Sequence, residues 1–175
     1  MTCLLMARPT PRAPFVGADL RWLIPGAAPF SLALATLGPA LVLWPDSADA
    51  VPTETPDLQT LARPALLCHA CAVTPDGPRE SLSLCDDSGA ARVRLHRLPE
   101  TDPLAWEALL RGARALPGYR HAPIGRMDRA KRLRFHIHRY GPCELLSTQP
   151  ADTFGAFGWR TAQGLAASEG VPLDG

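Results

Sequence analysis

Residues 65–106, ALLCHACAVTPDGPRESLSLCDDSGAARVRLHRLPETDPLAW, carry the densest local signals in the chain. The apolar-alternating runs at 66–73 and 80–85 each predict a strand. Asp86, Asp87, Ser88 and Gly89 follow with turn chemistry, and Gly89 can take the positive φ that a hairpin connection often requires. Residues 92–98 return as a third strand. Thr101-Asp102-Pro103 then sets an N-cap residue before a proline at the first helical position, where a missing N–H breaks no helical bond. The helix is expected to reach Leu116 and stop at Pro117-Gly118. Leu104, Trp106, Leu109, Leu110 and Leu116 spread over a wide apolar arc, which suits a helix lying on a sheet.

Upstream, no charge occurs between Arg21 and Asp46, and Trp22 and Trp44 bracket a stretch long enough to cross a bilayer. Pro25, Pro29, Pro39, Gly26 and Gly38 interrupt it, so it reads as a buried hairpin of strands at 30–36 and 40–44 turning at 37–39, with a membrane anchor as the alternative. Residues 45–64 are polar and proline-bearing, as in a surface loop. Downstream, 118–132 reads as a basic connection and 131–140 as the last clear strand. Residues 141–175 are rich in Gly, Ala and Thr and read as a poorly ordered tail. Residues 1–18 read as an N-terminal tail or a misplaced start, since the apolar run after Met1 is too short for a signal-peptide core.

Composition narrows the function. Eighteen basic against seventeen acidic residues leave a net charge of +1, which gathers neither nucleic acid nor anionic lipid. Nineteen prolines and fourteen glycines favour short elements. Five cysteines, an odd number, fit a reduced compartment better than a disulfide framework. The sequence has no Gly-rich phosphate loop, nucleophile elbow, His-Glu-x-x-His helix or dinucleotide fingerprint, so no residue is assigned a catalytic role.

Three constellations remain. In RLRFHIHRY, residues 132–140, alternation sends Leu133, Phe135 and Ile137 to one face and Arg134, His136, His138 and Tyr140 to the other. Neutral imidazole ligates transition metals and haem iron, and a guanidinium grips carboxylates, so the set fits a porphyrin with two propionates; a solvated strand face is the alternative. In 92–98, Arg92, Arg94 and His96 oppose Val93 and Leu95, either as part of such a site or as charges that blunt sheet association. Cys68-His69-Ala70-Cys71 hints at a zinc half-site or redox pair. On a strand, however, its two thiols face opposite ways, and Cys85 and Cys143 are isolated, so no metal site is assigned and the thiols read as inert.

The run CHACAVTPDGPRESLSLCDDSGAARVRLHRLPETDPLAWEALL resembles the first repeat of the HemS/ChuX family of bacterial cytoplasmic haem-utilisation proteins. The shared elements are the GPRESL lead-in, the Asp-x-x-Gly turn at 86–89, a basic return strand and the ETDPLAW helix entry. LRWLIPGAAPFSLALATLGPALVL is similar to the family's Leu-rich approach, so the likeness covers 20–116 and its repeat 19–140. The resemblance implies an α+β fold, an antiparallel sheet of hairpins with one main helix on one face. It also implies haem binding and trafficking in the cytoplasm for iron acquisition. His136, His138 and His96 become candidate iron ligands, and Arg92, Arg94 and Arg134 candidate propionate partners. ADTFGAFGW looks like the opening of the family's second repeat, with Asp152, Thr153, Phe157 and Gly158 in register and Phe154 in the place of the proximal histidine. A lone repeat would leave a sheet face uncovered, which implies a homodimer. The partners expected are haem and a second copy, with neither nucleic acid nor membrane. The alternative is an interaction module that keeps the scaffold without haem.

Overall fold

The computed structural model describes residues 17–46, 55–75, 77–151 and 155–174. In chain order the elements are β1 (Asp19–Ile24), α1 (Phe30–Ala35), β2 (Ala40–Trp44), α2 (Leu58–Ala62), β3 (Leu66–Thr74), β4 (Gly77–Cys85) and β5 (Ala91–Arg97). They continue with α3 (Pro103–Arg111), β6 (Arg114–Ala115), β7 (Arg129–Tyr140), β8 (Cys143–Pro150), α4 (Ala156–Glu169) and β9 (Leu173–Asp174). The class is α+β. Among the described residues nine strands make one sheet in the order β6-β1-β3-β4-β5-β2-β7-β8, and β9 pairs with β7 beyond the reach of β8. Every pairing is antiparallel except β7 with β9.

The centre follows from its hairpins. β3 pairs with β4 from Leu66↔Cys85 to Thr74↔Gly77, and β4 with β5 across the Asp86–Gly89 turn, where Gly89 takes φ +82°. Asp86 Oδ1 accepts from the N–H of Ser88 and of Ala90, fixing that turn. β2 is buried throughout and carries no alternation because both its faces are covered. Ala40, Val42 and Trp44 enter one core with Phe30 and Leu34 of α1, Leu61 of α2 and Trp106 and Leu109 of α3. Leu41 and Leu43 enter a second core with Ala162, Leu165 and Ala166 of α4. Helices therefore flank both faces of the sheet.

Several expectations need correction. Four helices lie among the described residues, not one main helix on one face. Residues 30–35 are helix rather than strand: a short apolar run fits either, but Phe30, Leu34 and Leu37 recur at helical spacing and are buried on one side. Gly38, at φ +71°, ends the turn after it, and the uncharged stretch between Arg21 and Asp46 is β1, α1 and β2. Among the described residues no helix is long and apolar enough to cross a membrane. The 45–64 loop contains α2, capped by Asp57 Oδ1 on the N–H of Gln59. α3 stops at Arg111 rather than Leu116, because the chain turns at Gly112 to lay β6 along β1. That crossing is tight: a Cβ on Gly26 would stand 2.0 Å from the Gly112 carbonyl oxygen. Leu104 is exposed and stands outside the buried arc. Beyond Gly141 the chain forms β8, which adds Leu146 to the first core, and α4 and β9, which close the second, so β7 is not the last strand. Asp152, Thr153 and Phe154 lie outside the described residues, as do residues 1–16 of the N-terminal tail; Phe157 and Gly158 stand in the first turn of α4.

Candidate functional site

β2 pairs with β7 only as far as Ala40↔Leu133, so residues 134–140 run on with β8 as a hairpin that outreaches the central strands. Its apolar side carries Leu133 and Phe135 into the first core, and Ile137 packs against it half-buried. Arg134, His136, His138 and Tyr140 share the opposite side, as alternation dictates. Arg134, His138 and Tyr140 are exposed. His138 Nε2 and Ser147 Oγ are hydrogen bonded at 2.8 Å, and the His138 ring stacks on Tyr140 with centroids 6.5 Å apart. His136 is half-buried, and its Nε2 is buried with no hydrogen-bond partner among the described residues. Across the hairpin, Leu145 faces His138. Tyr140 and Leu145 are 67% and 57% exposed, so the face mixes imidazole, guanidinium and uncovered apolar surface. Nearer the sheet centre α4 takes over, with Trp159 lying 4.4 Å from the Arg132 guanidinium.

The basic strand β5 is used differently. Arg94 is only 2% exposed; its Nε donates to Ser83 Oγ at 3.1 Å and its Nη1 to Glu169 Oε2. His96 Nε2 lies 3.1 Å from Glu169 Oε1. Burial pushes the Glu169 carboxyl up, but the hydrogen bond from His96 and the charge of Arg94 outweigh it and hold it below the ordinary glutamate range. Arg94 and His96 thus anchor the end of α4. Arg92 is exposed, and its Nε donates to Asp86 Oδ2 at 2.9 Å. The Ser88 hydroxyl, with the Ala90 and Ser88 N–H groups and Arg92, draws the Asp86 carboxyl down to about 2. Alternation shows that Arg94 and His96 share a face; the residue that claims them, Glu169, has no local signal.

A second polar network, with no local signal in the sequence, centres on Glu80. Glu80 Oε1 accepts from Arg97 Nη1 at 2.5 Å, and its Oε2 accepts from Trp106 Nε1 at 3.0 Å and from His69 Nε2 at 3.3 Å. Arg21 Nη2 stands 3.1 Å from His69 Nδ1. A guanidinium can only donate, so Nδ1 accepts and the ring proton sits on Nε2. Burial lowers the His69 pKa, which agrees with that neutral tautomer. Burial raises the Glu80 carboxyl, yet the Arg97, His69 and Trp106 hydrogen bonds prevail and lower it. The thiols go the other way: burial pushes Cys68 up to about 11 and Cys85 up to about 12, which removes thiolate character at neutral pH. Among the described residues no group of three or more His, Cys, Asp or Glu could hold a metal ion.

Two cavities lie elsewhere, the second bordered by Glu80 and Arg97 of that network. One of about 690 Å³ lies between the approach to α1, the end of α2 and the β7–β8 turn, and one of about 560 Å³ between α4 and the adjoining ends of β4 and β5. Neither is lined by His96, His136, His138, Arg92, Arg94 or Arg134. No protein-family model matches the chain, and no curated protein matches it.

Proposed function

We propose that this protein binds haem reversibly and carries it in the cytoplasm within an iron-acquisition pathway, as a single HemS/ChuX-like repeat. The observation that carries this reading is the open face of the β7–β8 hairpin, where His136, His138 and Arg134 project from one strand and the buried His136 Nε2 has no partner. A porphyrin brings four nitrogens to its iron, so one axial imidazole suffices and no cluster of metal ligands is needed. His136 or His138 is that ligand and Arg134 the propionate partner. Tyr140 and Leu145 supply apolar surface for the ring. Arg94 and His96 are committed to Glu169, and Arg92 to Asp86, so they rank behind the β7 residues. An exposed face suits a carrier, because cargo held there can be handed on without opening the core.

A second reading is a protein-interaction module without haem, favoured by the exposed Tyr140 and Leu145 and by two cavities that His136 and His138 do not line. Titration of haem into the purified protein separates them. A saturable, sharp Soret band that His136→Ala or His138→Ala weakens is the expected result. No saturable band, or one unchanged in both variants, removes the carrier reading and leaves the module.

A further inference from the structure

β8 is the outermost strand on its side of the sheet, and among the described residues no strand lies beyond it. The direction of its main-chain groups follows from one bond. The Ala151 N–H donates to the Arg132 carbonyl at 3.1 Å, so these two residues form a hydrogen-bonded pair, and by alternation so does every second pair of the hairpin up to Tyr140↔Cys143. Glu144, Leu146 and Thr148, which fall between, therefore turn their N–H and C=O groups away from β7, and no main-chain partner meets them among the described residues. Edge strands of monomers are commonly guarded by lysine, proline, a bulge or a row of charges. Between Pro142 and Pro150 there is neither lysine nor proline, the register with β7 runs without a shift, and the one charge, Glu144, is already paired with Arg139. Leu145, 57% exposed, adds apolar surface beside this unguarded edge.

We propose that β8 pairs antiparallel with β8 of a second copy about a two-fold axis at Leu146, so that the two sheets become one. In this register Leu146 faces the partner's Leu146 and Glu144 faces the partner's Thr148. Every outward N–H and C=O of the three residues is then used, and no like charges oppose one another. A shift of two residues either way leaves a carbonyl unpaired, because Pro142 and Pro150 have no N–H to give. On the histidine side Leu145 lies diagonally across from the partner's Leu145 at about 7 Å, less than the width of a porphyrin, so two copies that each carry a ring there do not pair. The inference rests on the strand edge alone and not on haem binding.

The test uses the full chain without haem. Gln149 is exposed and stands opposite the partner's Cys143 in the proposed register. Treatment of Gln149→Cys with oxidised glutathione, which takes up the two electrons of each new disulfide and leaves as two glutathione thiols, is expected to give a covalent dimer, with the Cys143 peptide joined to the introduced thiol in mass spectrometry. The parent stays uncrosslinked, because its two Cys143 thiols lie at opposite ends of the paired strands. Thr148→Pro keeps the β7–β8 hairpin, since the N–H it removes points away from β7, and should raise the dimer dissociation constant at least about tenfold in light scattering. Should Thr148→Pro not fold, the crosslink still decides the matter. The proposal is overturned by a single-chain mass for the haem-free parent at micromolar concentration, by a crosslink that is absent or joins other positions, or by a folded Thr148→Pro variant that dimerises as tightly as the parent. An edge that takes an extended peptide of another protein instead gives the first of these outcomes.

Discussion

Glu169 is the counter-ion of a buried charge. With Arg94 2% exposed, Glu169→Ala leaves a guanidinium in the second core without its counter-ion, and a loss of about 3–5 kcal/mol in unfolding free energy is expected from denaturant titration. The pH dependence has a definite sign. A carboxyl held below its unfolded pKa supplies stability that is fully present above that value and drains away as pH falls through the folded one, here below the ordinary glutamate range. Thermal unfolding followed from about pH 7 to pH 3 should therefore show a steeper acid decline in the parent than in Glu169→Gln. A parallel decline in the two would show that Glu169 titrates normally. At this scale the sequence is half legible: period-2 alternation reveals Arg94 beside His96, whereas a partner 75 positions away leaves no trace in local pattern.

Elements divide by how much of their signal is local. α3 is announced by its cap, and the structure has Asp102 Oδ1 accepting from the N–H of Leu104 at 2.8 Å and of Ala105 at 3.0 Å. Asp102→Ala should cost about 1 kcal/mol, measured by chemical denaturation. In α4 the effect reverses at Gly164, where a methyl group meets open space; Gly164→Ala should stabilise by up to about 1 kcal/mol in the same assay. α4 itself escaped notice because its buried residues, Gly158, Ala162, Leu165 and Ala166, are mostly small and its sequence contains two helix-weakening glycines. The close seat of Glu100 explains one of them, since a Cβ at Gly158 would fall 1.9 Å from that carboxylate. α1 is ambiguous for the opposite reason: the seven apolar-rich residues 30–36 satisfy a buried strand and a buried helix equally, and only packing against β7 and α3 chooses.

The whole molecule is a sheet flanked by helices on both faces, with a hairpin that projects past this cover. The antiparallel framework and the His-bearing face of β7 were legible in alternation and turn chemistry alone. The two-faced cover was not, because it depends on residues 143–174 returning to the sheet. The projecting hairpin bears on the proposed assembly. Tyr140 and Leu145 are exposed on the histidine side, and β8 is an edge strand with unpaired backbone groups. A second copy covering this region is expected to give twice the 18.8 kDa chain mass in light scattering at micromolar concentration in the absence of haem, and Leu145→Glu, or haem taking the same surface, should reduce it to the single value. A single-chain mass for the parent protein would remove the dimer while leaving the haem titration intact.

Arg94 sits in a strand that leaves the ribosome long before its counter-ion is translated. A cation cannot be dried without compensation, so a nascent chain reaching through α3 keeps that side of the sheet hydrated while the opposite side is free to consolidate on α1, α2 and α3. We expect the two sides to lock in a fixed succession during synthesis, with the α4 side always second.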